Sequence, residues 1–352
     1  MEQKLPAATG APAAAPAEAD ISAALAAALQ RHTGQAGQIV DMRRLSGGAT
    51  KETRAFDYAT ADARWPLILQ RLPAPPTPAS IPNGAPRSPK LSAEEDAGVM
   101  IAARAHGVPA PVVRAVLDSD DGLGRGYITE RIDGETLGSR IARDAGFASA
   151  RALMGKQAGE ILAAIHSMPT HDLGFLARVN PAQELQIAWS LIEPFGLHHP
   201  ALEYALRWVR ENLPKQWRTT VVHADFRTGN LIVGDDGIRC VLDWEIARIG
   251  DPMLDLGVLC MRSWRFGGAG AAGGFGSREE LYAAYERASG ISIDAAHVRF
   301  WEAFSNLKWA ISCVRRGMST SDDGKPTSIE LSAIGRRLEE PLWDFFELIE
   351  GN

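Results

Sequence analysis

The sequence predicts an α+β protein with two unequal lobes, a small antiparallel β-sheet lobe followed by a larger, mostly helical lobe. Short strand-like runs bounded by turn residues dominate the chain up to about Ile132, and from Leu137 the pattern changes to helical periods rich in Ala and Leu. The length of 352 residues, 45% of them hydrophobic, suits one two-lobed protein or two ordinary domains. We expect an N-terminal lobe over residues 21–132 and a C-terminal lobe over residues 133–352.

Composition argues against several classes of protein. The formal net charge of −6 does not favour a nucleic-acid-binding surface, and no apolar run reaches membrane-spanning length, so we expect a soluble protein. Cys240, Cys260 and Cys313 are odd in number and widely spaced, which indicates neither a disulfide framework nor a zinc site and points to a reducing cytoplasm. Residues 1–20 are rich in Ala and Pro and predict a disordered leader.

The N-terminal lobe begins with one helix and two strands. Apolar residues at helical spacing predict a helix over residues 21–30 that ends at Gly34 and Gly37. Strand-like runs follow over residues 54–58 and 65–71. The helix is expected to serve packing.

A long connection separates these strands from the rest of the lobe. Residues 72–92 contain seven prolines and predict an irregular segment that is longer than most compact folds use. Residues 93–106 predict a helix, and residues 111–116 and 127–132 predict two further strands joined by a polar turn. The second of these strands completes the small lobe.

The C-terminal lobe is predicted to be helical around one strand-rich stretch. Residues 152–166 have the clearest apolar face, and His166 at its end is more typical of a core residue than of a ligand. Residues 203–217, 256–264 and 299–316 predict further helices. In the last of these helices the tryptophans have the spacing that is usual for core residues.

Residues 221–255 contain the densest group of chemically active side chains. His223, Asp225 and Asn230 have the spacing H-x-D-x-x-x-x-N. Residues 231–233 and 238–242 predict a tight hairpin whose arms are nearly equal, so the hairpin returns Asp243 to within a residue or two of Asn230. An amide oxygen and a carboxylate placed side by side are hard ligands that suit Mg²⁺.

This arrangement meets the needs of phosphoryl transfer, in which the protein positions the reactants, neutralises charge through Mg²⁺ and accepts a proton from the attacking hydroxyl. Asp225 is the candidate base, and Asn230 and Asp243 are the candidate metal ligands. The alternative is a polar loop in which these residues only cap turns. The hairpin that ends at Asp243 favours the catalytic interpretation.

The runs HADFRTGN at residues 223–230 and VLDWEIARIGDPMLDL at residues 241–256 resemble the aminoglycoside phosphotransferase and choline kinase family, a branch of the protein-kinase-like fold. CMRSWRFG at residues 260–267 and GGFGSREELYAAYERASG at residues 273–290 are similar to bacterial stand-alone relatives of the kinase-like domain that is fused to some acyl-CoA dehydrogenases. The likeness extends from about Leu45 to about Arg316. It implies a bilobal kinase-like fold that binds ATP and Mg²⁺ in its cleft, with Asp255 holding the catalytic loop from behind.

The resemblance also implies nucleotide contacts in the N-terminal lobe. A Gly-rich turn containing Ser46, Gly47 and Gly48 would direct backbone N–H groups at the ATP phosphates, although such a turn by itself is more often an ordinary hairpin. The carbonyl of Glu130 and the amide of Ile132 would contact the adenine in the hinge between the lobes.

The cation for the α- and β-phosphates is ambiguous in this sequence. Gln70 has the usual position by spacing, but a neutral amide compensates phosphate charge poorly, so we predict Arg71 and a bulge that turns the strand. Its predicted ion-pair partner is Glu95, and Glu94 and Asp96 are alternatives.

Charge in the acceptor region favours a neutral or anionic hydroxyl compound. Residues 261–316 contain eight Lys or Arg and five Asp or Glu, whereas a polycationic aminoglycoside would need the reverse. We therefore favour a small-molecule acceptor such as a hydroxy acid or a hydroxyacyl-CoA thioester. The sequence leaves the oligomeric state and the choice between ATP and GTP open.

Other functions are compatible with parts of the sequence. An aminoglycoside phosphotransferase is the first alternative, and a nucleotide-binding module without turnover is the second, because Gln70 is uncharged. A metal hydrolase would use His223 as a ligand, but a second suitably spaced His is missing. Protein phosphorylation is disfavoured, because no Ala-Pro-Glu activation segment follows Asp243.

Overall fold

The computed structural model describes residues 18–45, 51–72, 90–320 and 325–350. Within these ranges the chain has the predicted α+β architecture, a five-stranded antiparallel sheet followed by a mostly helical region. The predicted leader lies outside the described residues except for residues 18–20, which belong to the first helix, and most of the predicted proline-rich connection also lies outside them. Among the described helices none combines the length and the apolar character that a membrane span requires.

The N-terminal sheet has the strand order β1-β2-β3-β5-β4 and a helix on each face. Its elements are α1 (Glu18–Thr33), β1 (Gly37–Arg44), β2 (Glu52–Thr60), β3 (Arg64–Arg71), α2 (Ala93–Ala105), β4 (Val113–Leu117) and β5 (Gly126–Glu130). Gly34 ends α1 as predicted, with a φ of +73° that suits glycine. Gly37 instead begins β1, a strand that the sequence does not predict because its residues, four exposed and four half-buried, show no clear alternation.

Side chains of β3 alternate between the two faces of the sheet. Leu67, Leu69 and Arg71 are buried on the side covered by α1, while Ile68 and Gln70 are half-buried on the opposite side. Strand β3 pairs residue by residue with β2 and β5 up to Arg71, so no bulge turns Arg71 toward the face of Gln70.

The C-terminal lobe has nine described helices and two small two-stranded sheets, β6-β9 and β7-β8. The helices are α3 (Gly138–Arg143), α4 (Ala148–Ser167), α5 (Pro181–Ile192), α6 (Pro200–Glu211), α7 (Met253–Cys260), α8 (Arg278–Ser289), α9 (Ala295–Gly317), α10 (Ile329–Gly335) and α11 (Glu339–Glu350), and the strands are β6 (Thr220–Val222), β7 (Leu231–Gly234), β8 (Gly237–Val241) and β9 (Arg248–Gly250). Helix α6 is shorter than predicted, because Pro214 disfavours helical backbone before it.

The core of this lobe surrounds α4 and α9. His166 in α4 and Trp301 in α9 are buried in it, as expected for core residues. Trp309 differs, because it is only partly buried and lines a cavity beside the catalytic stretch. Helices α7 and α9 approach so closely at Gly257 that an added Cβ would lie 2.7 Å from the backbone of Trp301.

The predicted hairpin is formed by β7 and β8. Leu231 pairs with Val241, and Gly237 in the turn has a φ of +94°. The backbone N–H of Leu242 donates to the carbonyl of Asn230 at 2.8 Å, which brings the end of the hairpin back beside its beginning. Strands β6 and β9 pair outside the hairpin and hold the two ends of the catalytic stretch together.

Candidate active site

Asp225, Asn230 and Asp243 lie together at the open end of the hairpin. Asn230 donates from Nδ2 to Asp225 Oδ2 at 2.8 Å and to the Asp225 carbonyl at 3.0 Å. Asp243 follows Leu242, whose backbone bonds to Asn230, and has a φ of +65°, a conformation that is uncommon outside glycine. The local spacing therefore brings the three predicted polar side chains to one site.

Asp255 fixes the loop before Asp225 from behind. Its buried carboxylate accepts from the backbone N–H groups of His223 at 2.8 Å and Ala224 at 2.6 Å, and it lies 3.0 Å from His166 Nε2. Ala224 has a φ of +67°, so these bonds hold a strained backbone next to the candidate base. Burial alone would raise the pKa of Asp255, but the hydrogen bond from His166 and the charges around it hold that pKa below its ordinary value.

His223 joins the catalytic loop to the hairpin through both ring nitrogens. The backbone N–H of Asp225 donates to Nδ1 at 3.2 Å, and Nε2 lies 3.0 Å from the carbonyl of Leu242. In this geometry Nδ1 accepts a hydrogen bond and Nε2 is placed to donate one. His223 is fully buried against the ring of Trp244 and is not available as a zinc ligand.

The electrostatics at Asp243 suit a bound cation. Its side chain is open to the cleft on one side, but the surrounding protein removes much of its water, and this burial, with the charges of Glu245 and Asp225, raises its pKa. The carboxylate of Asp243 and the amide oxygen of Asn230 are the kind of oxygen donors that Mg²⁺ prefers. A divalent cation would relieve the repulsion between the carboxylates.

Arg227 is a site residue that the motif spacing did not single out. Its Nε lies 3.0 Å from both carboxylate oxygens of Asp225, and its guanidinium lies 4.5 Å from the centre of the Trp264 ring. The ion pair with Asp225 places a positive charge where an attacking hydroxyl would approach the candidate base. Its position two residues after Asp225 was the only sequence signal for it.

Two predictions on the nucleotide side differ from the structure. Arg71 donates to Glu52 Oε2 at 2.9 Å and to the carbonyl of Leu123 at 3.1 Å, and it faces α1 instead of the cleft. Glu95 accepts from the backbone N–H of Ser92 at 2.8 Å in the cap of α2 and does not pair with Arg71. Both differences follow from geometry, since strand alternation turns Arg71 away and the helix start recruits Glu95.

A different pair occupies the cleft side of the sheet. Lys51 Nζ lies 2.6 Å from Asp96 Oδ2 and 3.5 Å from Glu245 Oε2. The hydroxyl of Tyr127 donates to the same oxygen of Asp96 at 2.8 Å. Asp96, which the sequence left as an alternative to Glu95, is therefore the paired carboxylate of α2, and its cation is Lys51.

The remaining nucleotide predictions concern the glycine-rich turn and the hinge. Ser46, Gly47 and Gly48 lie outside the described residues. Glu130 ends β5, and its side chain forms an ion pair with Arg114. The backbone N–H of Glu130 donates to the carbonyl of Val112, and that of Arg131 donates to the carbonyl of Pro66. The adenine contacts of the Glu130 carbonyl and the Ile132 amide stay a prediction.

A cavity of about 320 Å³ opens beside Asp225 and Asp243. One wall is a face of α9, where residues at helical spacing line it. The charged residues around the cavity are six cationic side chains and four anionic ones, namely Lys90, Arg227, Arg248, Lys308, Arg315 and Arg316 with Glu184, Asp225, Asp243 and Glu245.

Glu184 contributes little free charge to this cavity. Its carboxylate lies 2.6 Å from Arg248 Nε and 3.0 Å from Lys308 Nζ. Burial alone would raise the pKa of Glu184, but these two cations lower it, so Glu184 is ionised and neutralised in place. Together Glu184, Arg248 and Lys308 carry one net positive charge, and Arg315 and Arg316 of α9 add to it in the cavity wall.

Comparison with known proteins agrees with the motifs. The family described as "Phosphotransferase enzyme family" matches residues 41–301, most of the chain. Acyl-CoA dehydrogenase family member 10 of Mus musculus is 30% identical over 161 residues, which are 42% of this chain and 15% of that protein. The chain thus corresponds to a small part of that relative. Both predicted resemblances are confirmed.

Solved structures agree with the predicted bilobal fold. A Ralstonia eutropha protein assigned to the aminoglycoside phosphotransferases has a TM-score of 0.71 at 22% identity, over 93% of this chain and 98% of that one. A choline/ethanolamine kinase family protein of Mesorhizobium loti has a TM-score of 0.60 at 17% identity, over 94% and 95%. The streptomycin-ATP-APH(2″)-IIa ternary complex has a TM-score of 0.53 at 15% identity, over 94% and 99%.

Proposed function

The chain belongs to the phosphotransferase enzyme family, and on that premise we propose that it transfers the γ-phosphoryl group of ATP to a hydroxyl of an anionic small molecule, with Mg²⁺. The observation that carries the proposal is the convergence of Asp225, Asn230 and Asp243 at one end of a cavity. A base, a pair of oxygen ligands for a metal and space for an acceptor are the parts that phosphoryl transfer requires.

Each residue has a role that follows from its position. Asp225 faces the cavity, where it would orient the acceptor hydroxyl and take its proton as the new P–O bond forms. Asn230 and Asp243 would hold Mg²⁺, which would neutralise charge on the phosphoryl oxygens. Arg227 would leave its ion pair with Asp225 or share it when the acceptor enters, because both approach the same carboxylate.

The acceptor is a hydroxy acid or a hydroxyacyl-CoA thioester in this proposal. Asp225 and Asp243 are committed to catalysis, and Glu184 is paired with Arg248 and Lys308. These three groups leave one positive charge, and Arg315 and Arg316 add to it, so the cavity wall formed with α9 is positive. An anionic ligand is attracted by such a wall, and a polycation is repelled by it. The match to a protein named as an acyl-CoA dehydrogenase supports an acyl compound as the acceptor.

Two alternative functions have less support. Aminoglycoside phosphorylation is supported by several structural neighbours but conflicts with the charge of the cavity. A binding module without turnover has no need for a base, yet Asp225 is held in place by Asn230, Arg227 and a strained backbone. The catalytic proposal accounts for that arrangement.

The test is Mg²⁺-dependent ATP consumption with hydroxy acids, hydroxyacyl-CoA thioesters, choline-like alcohols and aminoglycosides. We expect turnover with an anionic acceptor, lost by about 100-fold or more in Asp225→Asn. Asp236→Asn is the matched control, because Asp236 is an exposed aspartate in the hairpin turn. Turnover of an aminoglycoside with no anionic acceptor would contradict the acceptor class, and turnover that survives Asp225→Asn would contradict the site.

A further inference from the structure

Lys51 lies on the face of the sheet where a strand cation would contact the nucleotide. In the antiparallel register Thr53 is opposite Gln70, and Gln70 is opposite Tyr127, so these three side chains share one face. Lys51 is two residues before Thr53 and returns to that face by alternation. Its long side chain can therefore reach the region that Gln70 faces from β3.

The surroundings of Lys51 hold its ammonium group in one place. Asp96 is 1% exposed, and among the described residues its Oδ1 has no hydrogen-bond partner, so its buried charge depends on Lys51 Nζ and the Tyr127 hydroxyl at Oδ2. The Lys51 ammonium also lies 5.7 Å from the centre of the Tyr127 ring. A buried carboxylate without a cation is costly, and this cost keeps the pair together.

Lys51 also bridges the two lobes at the catalytic site. Its Nζ lies between Asp96 of α2 and Glu245, two residues beyond the candidate metal ligand Asp243. Although burial alone would lower it, the charge of Asp96 raises the pKa of Lys51, so the side chain is protonated. A positive charge at this point faces the space between the sheet and the hairpin.

We propose that Lys51 is the cation that binds the α- and β-phosphates of ATP, and that Asp96 and Tyr127 position it. In ATP-dependent kinases this cation is a lysine of the third strand paired with a helix carboxylate. Here the third strand has Gln70, which is uncharged, and Arg71, which faces α1. The lysine has moved to the start of β2, while its carboxylate partner is still supplied by α2.

The proposal rests on the proposed function, because it needs ATP as the ligand, and direct binding separates the two. Calorimetric titration with Mg²⁺-ATP and with adenosine is carried out on the wild type and on Lys51→Met. We expect Lys51→Met to bind Mg²⁺-ATP about 10- to 100-fold more weakly and to bind adenosine unchanged, since only the phosphates lose a charged partner. Lys156→Met, an exposed lysine of α4, is the matched control.

A second-site variant tests the position of the charge. Gln70→Lys in the Lys51→Met background restores a lysine to the same face of the sheet, opposite Tyr127, whose hydroxyl donates to Asp96. We expect it to recover most of the lost Mg²⁺-ATP affinity. Equal affinity of wild type and Lys51→Met would overturn the inference while leaving the proposed function intact. A wild type that binds no Mg²⁺-ATP would overturn both.

A labelling experiment on the wild type covers the case in which Lys51→Met does not fold. In an acyl phosphate derivative of ATP, the free amine form of a nearby lysine attacks the acyl carbon. The bond between the acyl carbon and the phosphate oxygen breaks, ATP leaves, the lysine becomes an amide, and its proton passes to solvent. Peptide mass spectrometry should find Lys51 acylated, and excess ATP should block the reaction. Acylation of Lys90 or Lys308 in place of Lys51 would overturn the inference.

Discussion

The two walls of the cleft differ in how their active groups are assembled. The C-terminal wall takes Asp225, Asn230 and Asp243 from one continuous stretch that folds back on itself in a tight hairpin. The N-terminal wall takes Lys51 from the residue before β2, Asp96 from α2 and Tyr127 from β5, and the packing of the sheet and helix brings them together. Spacing along the chain therefore determines the C-terminal wall. The N-terminal wall depends on the face of the sheet on which each side chain lies.

Because the C-terminal wall contains the base and the metal ligands, substitutions there should lower activity most. Asp243→Asn removes a charged ligand of Mg²⁺ without changing shape, and we expect kcat to fall about 1,000-fold at saturating Mg²⁺-ATP. The measurement is single-turnover phosphorylation of the acceptor found with the wild type. Asp236→Asn in the same hairpin should change kcat by less than about twofold. A similar kcat for Asp243→Asn and the wild type would remove Asp243 from the metal site.

Substitution of Asp255 tests whether the C-terminal wall needs support from the rest of its lobe. In Asp255→Asn the amide has one acceptor oxygen, so the N–H of His223 or Ala224 is left without its partner. We expect kcat to fall about 10- to 100-fold and the free energy of unfolding to fall by about 1–3 kcal/mol. Urea unfolding and steady-state kinetics measure the two effects. A loss of stability with unchanged kcat would show that the strained loop keeps its geometry without Asp255.

Arg71 tests the opposite wall, because it is paired in the sheet with Glu52, the residue after Lys51, but faces away from the cleft. Substitution of Arg71 should lower the stability of the fold and leave ATP binding unchanged. Arg71→Gln breaks buried contacts with Glu52 and Leu123, so we expect the free energy of unfolding to fall by about 1–3 kcal/mol while KM for ATP changes by less than about twofold. Thermal and urea unfolding are compared with KM for ATP. A KM increase as large as that of Lys51→Met would return the phosphate-binding role to Arg71.

Much of the fold and one wall of the site could be predicted from the sequence for physical reasons. Helices such as α4 repeat apolar residues every turn, and the β7-β8 hairpin is fixed by a short turn, so each is encoded within a few residues. The Asp225 motif gains specificity because Asp243 returns beside Asn230 through that hairpin. The sequence does not predict strand β1, since its residues, of which half are exposed and half are half-buried, carry no period-2 signal.

The partners on the other wall could not be predicted because their signal is not local. Whether Gln70 or Arg71 faces the cleft depends on the register of β2, β3 and β5, and one residue of shift exchanges the faces. Glu95 and Asp96 are adjacent, and only the cap of α2 decides that Glu95 bonds to Ser92 while Asp96 is buried. The sequence does not indicate Lys51 as the phosphate-binding cation, because Lys51 precedes a strand and lies outside the position expected for that cation.

The smallest expected effect is a dependence of Mg²⁺ affinity on pH, to which both walls contribute. Burial and the charges of Glu245 and Asp225 raise the pKa of Asp243, so this carboxyl keeps its proton to a higher pH than an ordinary aspartate does. Because Mg²⁺ needs the ionised form, its affinity should fall as the pH decreases through that pKa and level off above it. Calorimetric titration of Mg²⁺ without nucleotide, over a series of acidic to neutral pH values, measures the midpoint.

The charge of Lys51 lowers the pKa of Asp243 and so opposes the rise. Substitution of Lys51 therefore tests the origin of the midpoint. Removing that charge in Lys51→Met should raise the pKa of Asp243 further and move the midpoint of Mg²⁺ binding to higher pH. Lys156→Met, whose ammonium is exposed on α4, should leave the midpoint where it is. An unchanged midpoint in Lys51→Met would mean that solvent screens Lys51 from Asp243 and that the two walls act independently before the nucleotide binds.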